Sequence, residues 1–190
     1  MVEAAIREFS LHGFEATSMD AIAVAANTTK MTIYAYFPGK EDLFLSALQA
    51  LADAVPVPDW SAARGGDLRS RLGAMALELL ERATCTQMER LVRLLSLSSG
   101  PAVRIASQLW RSRLQPYETA VADMLAQEVR AGGLRIPDID CAAAQFTAMV
   151  IGRPVIRMLV AHRKEDGAAC RQAALAAVDL FVRAYGRPEA

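Results

Sequence analysis

Apolar residues in this 190-residue chain recur at helical spacing from end to end, and no sustained two-residue alternation bounded by turns interrupts them. Ala, Leu, Arg and Glu dominate, all good helix formers. A chain written this way folds as an all-α protein whose helices meet through their apolar stripes. Its punctuation divides it into about nine helices, expected over about 2–12, 19–26, 30–36, 40–54, 68–84, 87–98, 102–131, 139–162 and 167–185. Gly13, Asn27-Thr28, Pro38-Gly39, Gly100-Pro101, Gly132-Gly133 with Pro137, and Glu165-Asp166-Gly167 fall in the breaks. Thr17-Ser18, Thr29 and Asp67 stand where N-caps belong. Asn27, in the tightest turn, tolerates left-handed backbone nearly as well as glycine.

Val55-Pro56-Val57-Pro58 followed by Arg64-Gly65-Gly66 reads as a linker. It separates residues 1–54 from a larger helical part, residues 67–190. Hydrophobic residues make up 53% of the chain, which excludes disorder. Lys+Arg and Asp+Glu are 21 each, which excludes a basic coat or acidic tail as the main device. Arg, Asp or Pro breaks every apolar run before it reaches the roughly 18 residues of a membrane span, so no membrane partner is expected. The N-terminus is amphipathic and acidic, unlike a signal peptide, and a cytoplasmic protein is expected. Cys85, Cys141 and Cys170 form no paired spacing and read as free thiols in a reducing compartment. His12 and His162 are the only histidines, with no Cys, Asp or Glu in register for a metal pair. No metal or cofactor is expected, and a helical enzyme is disfavoured because nucleophile, base and orienter are missing.

Functional chemistry concentrates in the first part. Two short helices joined by a tight turn make a helix-turn-helix, whose second helix lies in the major groove of DNA. Ile33 and Phe37, four apart, give that helix its docking face. Lys30 and Tyr34 share another face, with Met31 and Ala35 beside them. Thr28, Thr29, Thr32, Tyr34 and Tyr36 carry hydroxyls suited to phosphate oxygens.

The span GFEATSMDAIAVAANTTKMTIYAYFPGKEDLF resembles the DNA-binding domain of the TetR (AcrR) family of transcriptional regulators. The likeness rests on an ordered set: Phe14, Thr17-Ser18, Asp20-Ala21-Ile22-Ala23, Ala26-Asn27, Thr32-Ile33, Tyr34-Ala35-Tyr36-Phe37 and Lys40-Glu41-Asp42-Leu43. It implies that Thr17, Thr29, Lys30, Thr32, Tyr34, Tyr36 and Lys40 contact DNA, mostly at phosphates, and that Met31 and Ala35 face base edges. The chain departs from the family pattern in having Asn27 for the turn glycine and Thr28 for an aliphatic residue. Family members usually carry a short basic arm before the first helix, and this sequence starts almost inside that helix, so either the arm is absent or the native beginning is not included. Residues 1–54 hold three basic residues against seven acidic ones, a balance of −4. Weaker phosphate-driven affinity is therefore expected.

The stretch from Arg90 to Gly152 more loosely resembles the C-terminal domain of the AefR-like branch. That likeness implies effector binding and dimerisation, hence three partners: a double-stranded DNA operator, a small-molecule effector and a second copy of the chain. Candidate effector residues are Met75, Met88, Leu91, Trp110, Arg113, Tyr117, Phe146 and Met149, a mostly apolar set that also reads as plain helix packing. The last two helices are apolar on more than one face, so Ile156, Leu159, Val178, Phe181 and Val182 are candidates for a two-fold four-helix interface. The expected function is a ligand-responsive repressor. A dimeric ligand-binding or interaction module with a weakened DNA-binding unit is the alternative.

Overall fold

The computed structural model describes residues 1–56, 63, 65–96, 111–112, 115–161 and 166–186. Among the described residues there are nine helices: α1 Val2–Ala16, α2 Met19–Ala25, α3 Lys30–Tyr36, α4 Lys40–Asp53, α5 Leu68–Ala83, α6 Thr86–Ser96, α7 Gln115–Ala131, α8 Ile139–Ala161 and α9 Gly167–Tyr185. They belong to two compact units, Met1–Pro56 with Cys85–Trp110, and Val57–Thr84 with Arg111–Ala190. The all-α expectation holds, and most predicted boundaries lie within two residues of those found. The start of the helix expected at 102 lies outside the described residues.

The first unit is built from α1–α4 and α6. Ile6 and Phe9 of α1, Ile22 of α2, Ile33 of α3, and Leu43, Phe44, Ala47 and Leu48 of α4 form one buried cluster. An aromatic knot lies at its centre. Phe44 meets Phe9 edge-on, with ring centroids 5.1 Å apart at 87°, and Phe14 at 4.9 Å. Leu91 and Leu94 of α6 complete the cluster. The linker boundary read from sequence groups residues 86–96 with the larger part; in the structure their apolar stripe faces this core instead. Helix α1 continues past the expected stop to Ala16, but Gly13 leaves helical geometry at φ 78°, ψ 169°, so the break sits where the glycine put it.

The second unit packs α5, α7, α8 and α9 around Leu72, Leu79, Tyr117, Val121, Leu125, Phe146, Val150, Ala174, Val178 and Phe181. Asp67 caps α5, accepting from the Ser70 backbone N–H at 2.8 Å. The Ser70 hydrogen bonds hold its carboxyl below the ordinary carboxylate range. Gly132 takes the left-handed conformation at φ 80°, and the Gly133 N–H closes back on the Glu128 carbonyl at 2.9 Å, ending α7. An ion pair between Arg71 of α5 and Glu128 of α7 ties those helices together. The last turn of α9 is tied down as well: the Arg135 N–H donates to the Tyr185 carbonyl at 2.9 Å.

One expectation needs correction. Ile139–Val160 in α8 is long and apolar enough, by length and composition, to cross a membrane, with mean hydropathy 1.2. Asp140, Arg153, Pro154 and Arg157 are the breakers that sequence reading relies on, but three charges and a proline in 22 residues do not lower the mean enough. Ala142, Phe146 and Val150 bury one side of α8 in the unit's own core.

Candidate nucleic-acid interface

Helices α2 and α3 are each seven residues, too short to persist alone, and each is held by a side-chain cap. Ser18 Oγ accepts from the Ala21 N–H at 3.1 Å, and Thr29 Oγ1 accepts from the Thr32 N–H at 3.1 Å. Between them Asn27 turns the chain at φ 50°, the only non-glycine residue with positive φ among the described residues. The Thr28 N–H donates to the Ala23 carbonyl at 3.0 Å, closing the turn.

Helix α3 docks through a single buried side chain, Ile33, with Phe37 half-buried beyond its end. The other six of its seven residues face outward: Lys30, Met31, Thr32, Tyr34, Ala35 and Tyr36. Thr29 is exposed too, and Thr28 is half-buried in the turn. Seven of the ten residues proposed for DNA contact therefore form one continuous exposed surface.

Thr17 and Lys40 do not join that surface freely. Thr17 is only 3% exposed, and its hydroxyl donates to the Gly13 carbonyl at 2.7 Å, with the Glu8 carbonyl at 3.2 Å. Its phosphate role is corrected to a structural one: its side chain satisfies the carbonyls left open at the Gly13 break. Lys40 is half-buried. Its ammonium donates to the carbonyls of Glu15 and Thr17, each at 3.2 Å, and sits 4.6 Å from the centroid of the Phe14 ring. Two of its three protons and its cation–π partner fasten α4 to the corner between α1 and α2.

Sequence spacing did not reveal Asp20 as a partner of the surface. Its carboxylate lies 2.8 Å from the Lys30 ammonium, across ten residues and the turn. This hydrogen bond, with the attraction of opposite charges, holds the Lys30 ammonium above its ordinary range. The only cation on α3 is thus partly neutralised. The −4 balance of residues 1–54 is also eased from outside that segment, where Arg90 of α6 pairs with Glu3 at 2.6 Å. A charge count that stops at residue 54 misses it.

The candidate effector residues are not brought together. Met88 and Leu91 pack in the core of the first unit, because α6 turns its apolar stripe there. Tyr117 and Phe146 are 3% and 0% exposed and serve as core of the second unit. Met149 is exposed, and Trp110 and Arg113 lie outside the described residues. Met75 lines a cavity of about 530 Å³ between α5 and α7, with Ala63, Arg71, Ala120, Asp123, Met124 and Gln127. A second, of about 330 Å³, is lined by Leu77, Leu80, Glu81, Thr84, Pro154, Met158, Gly167, Cys170 and Arg171. Among the dimer candidates, Val178 and Phe181 are 1% and 2% exposed and are corrected to core residues, since the unit's own packing leaves them no free surface. Val182 is partly buried against that core. Ile156 and Leu159 are exposed as expected. None of the three cysteines is in a disulfide, and no cluster of metal-ligating side chains occurs among the described residues.

Comparison with known proteins places these features. Residues 1–47 match the family described as bacterial regulatory proteins, tetR family. Residues 70–187 match the AefR-like transcriptional repressor, C-terminal domain. An HTH-type transcriptional repressor of Streptomyces coelicolor is 45% identical over 62 residues, which is 30% of this chain and 32% of that protein. The chain thus matches about a third of the length of that curated relative. Among solved structures, the flavonoid-responsive regulator FrrA is 31% identical, with 99% of this chain and 96% of that one covered and a TM-score of 0.69. A TetR transcriptional regulator from Agrobacterium tumefaciens is 23% identical over 98% and 92% of the two chains, TM-score 0.76, a likeness of fold.

Proposed function

The chain belongs to the tetR family of bacterial regulatory proteins, and from that premise we propose that it is a homodimeric DNA-binding transcriptional regulator, a repressor released from its operator by a small effector. One observation carries the reading: a capped helix of seven residues buries only Ile33 and turns its other six side chains outward. A helix needed only for packing would bury more of itself. Thr29, Thr32, Tyr34 and Tyr36 supply the phosphate contacts that fix register, while Met31 and Ala35 face the groove floor. Lys40, held by two carbonyls, serves chiefly to hold the motif together and has one proton left for a phosphate.

Dimerisation is supported by an exposed face of mostly small and apolar residues on α8 and α9, edged by Arg153 and Arg183. On α8 the stripe runs through Cys141, Ala144, Gln145, Ala148, Met149, Ile156 and Leu159, and on α9 through Ala169, Gln172, Ala173, Ala176, Leu180 and Ala184, all exposed. The two stripes are continuous, since Met149 and Ala148 share a shallow hollow of about 370 Å³ with Leu180 and Ala184. Small residues allow close helix approach, and an isologous pairing of both helices buries the whole stripe. Two recognition helices then reach successive major grooves about 34–36 Å apart. The larger cavity of the second unit falls within the usual size range for small-molecule sites. Met75 and Met124 give it apolar walls, and Arg71, Asp123 and Gln127 its polar groups. Such a lining suits a mostly apolar effector that carries a few polar substituents. FrrA, named for its response to flavonoids, is a relative consistent with that class.

The test is fluorescence-anisotropy binding to duplexes from upstream of the chain's own coding region, across a salt series. Tight binding that weakens steeply with salt is expected. The triple variant of Thr32, Tyr34 and Tyr36 to alanine, all exposed, should stay folded and dimeric but lose that affinity. Equal binding by the variant would overturn the interface.

Asp20 gives a prediction of the opposite sign. Asp20→Asn should free the Lys30 ammonium for a phosphate. Affinity should rise several-fold, and the log–log salt slope should steepen by about 1. The same salt series checks it; an unchanged slope would mean Lys30 does not reach DNA.

A further inference from the structure

We infer that this protein reads its operator through thymine methyl groups, contacted by Met31 and Ala35, and not through paired hydrogen bonds to guanine or adenine. The inference rests on the DNA-binding reading above and deepens it.

Base edges are told apart in the major groove by two kinds of feature. Arg or Lys pairs with guanine and Asn or Gln with adenine, while apolar side chains meet the C5-methyl of thymine. Helix α3 is Lys-Met-Thr-Ile-Tyr-Ala-Tyr, with no Arg, Asn, Gln, Asp or Glu. Of its four side-chain hydrogen-bonding groups two are engaged within the chain, and the other two, the Tyr34 and Tyr36 hydroxyls, are assigned above to phosphates. The Lys30 ammonium is 2.8 Å from Asp20, and the Thr32 hydroxyl is 2.8 Å from the Thr29 hydroxyl. The apolar groups are not engaged. Met31 is 84% exposed, the most exposed large apolar side chain among the described residues. Ala35 lies one turn on, on the same face, and is exposed as well. An unbranched thioether beside a methyl presents a soft apolar surface with nothing from its own chain packed on it. The apolar feature it can meet in the groove is the thymine methyl.

The experiment uses the full-length protein and a random 30-base-pair duplex library. The duplex enriched by selection is then made in three forms: with thymine throughout, with uracil for thymine in the half-sites, and with uracil for thymine in the flanks only. Uracil keeps every hydrogen-bonding group and removes only the methyl. Each contacted methyl should contribute about fourfold, so one in each half-site makes about fifteenfold weaker binding for the half-site uracil duplex. Flank replacement should change nothing. Met31→Ala, at a position too exposed to disturb folding, should bind the thymine and half-site uracil duplexes more nearly alike. Equal wild-type binding to those two duplexes would overturn the inference, as would an enriched half-site without thymine. So would a uracil penalty undiminished in Met31→Ala. If no duplex is enriched at all, the regulator reading itself falls and takes this inference with it.

Discussion

Phe44→Ala should cost the first unit about 3–5 kcal/mol, the usual range for deleting a large buried aromatic. Phe44 is 0% exposed and meets two other rings, Phe9 at 5.1 Å and Phe14 at 4.9 Å. Leu43, Ala47 and Leu48 are fixed on the same helix. Total stabilities of small domains run about 5–15 kcal/mol, so the variant should lose much of its DNA-binding unit at ordinary temperature. Urea titration followed by far-ultraviolet circular dichroism and by DNA binding would show the loss. Leu11→Ala, at a position 68% exposed, is the control and should shift stability by no more than about 0.5 kcal/mol. A Phe44→Ala protein as stable as that control would mean the aromatic knot is not the unit's centre.

The second large effect concerns assembly. Ile156→Glu combined with Leu180→Glu places two charges on residues each 60% exposed in the single chain. The isolated chain has no reason to unfold, because both carboxylates remain in water. In a two-fold pairing of α8 and α9 each charge occurs twice and is taken out of water at the seam. Sedimentation should show a monomer with unchanged helical content. Operator affinity should fall by about 10²- to 10⁴-fold, since a second half-site bound through the same dimer acts as an intramolecular contact. A variant that stays dimeric would place the interface elsewhere. A monomer with full operator affinity would show that one recognition helix suffices.

What could be read from sequence and what could not divides along a physical line. Caps, breaks and the left-handed turn depend on near neighbours. Ser18, Thr29, Asp67, Asn27 and Gly13 all act locally, and each was legible. The outward face of α3 was also legible, because Ile33 and Phe37 identify the docking side and the remaining residues follow. Partners distant along the chain were not. The family resemblance implied a phosphate contact for Thr17, but the break at Gly13 gave its hydroxyl carbonyls to satisfy. Lys40 looked like a free cation in the first turn of α4, yet two carbonyls and an aromatic ring lie within its reach. In α9 apolar residues occur on every side. Periodicity alone could not say that Val178 and Phe181 face the core while Leu180 and Ala184 face out.

The place of α6 bears on how such a protein can be rebuilt. A recombinant fragment cut at Pro56, or a chimera that joins residues 1–56 to another sensor, would leave behind Leu91 and Leu94, which are 2% and 0% exposed in the first unit's core. It would also lose Arg90, the partner of Glu3. The module that transplants intact is discontinuous in the gene, so a working swap has to carry α6 along or graft its inward-facing Met88, Leu91, Leu94 and Leu95, with Arg90, onto the recipient's equivalent helix.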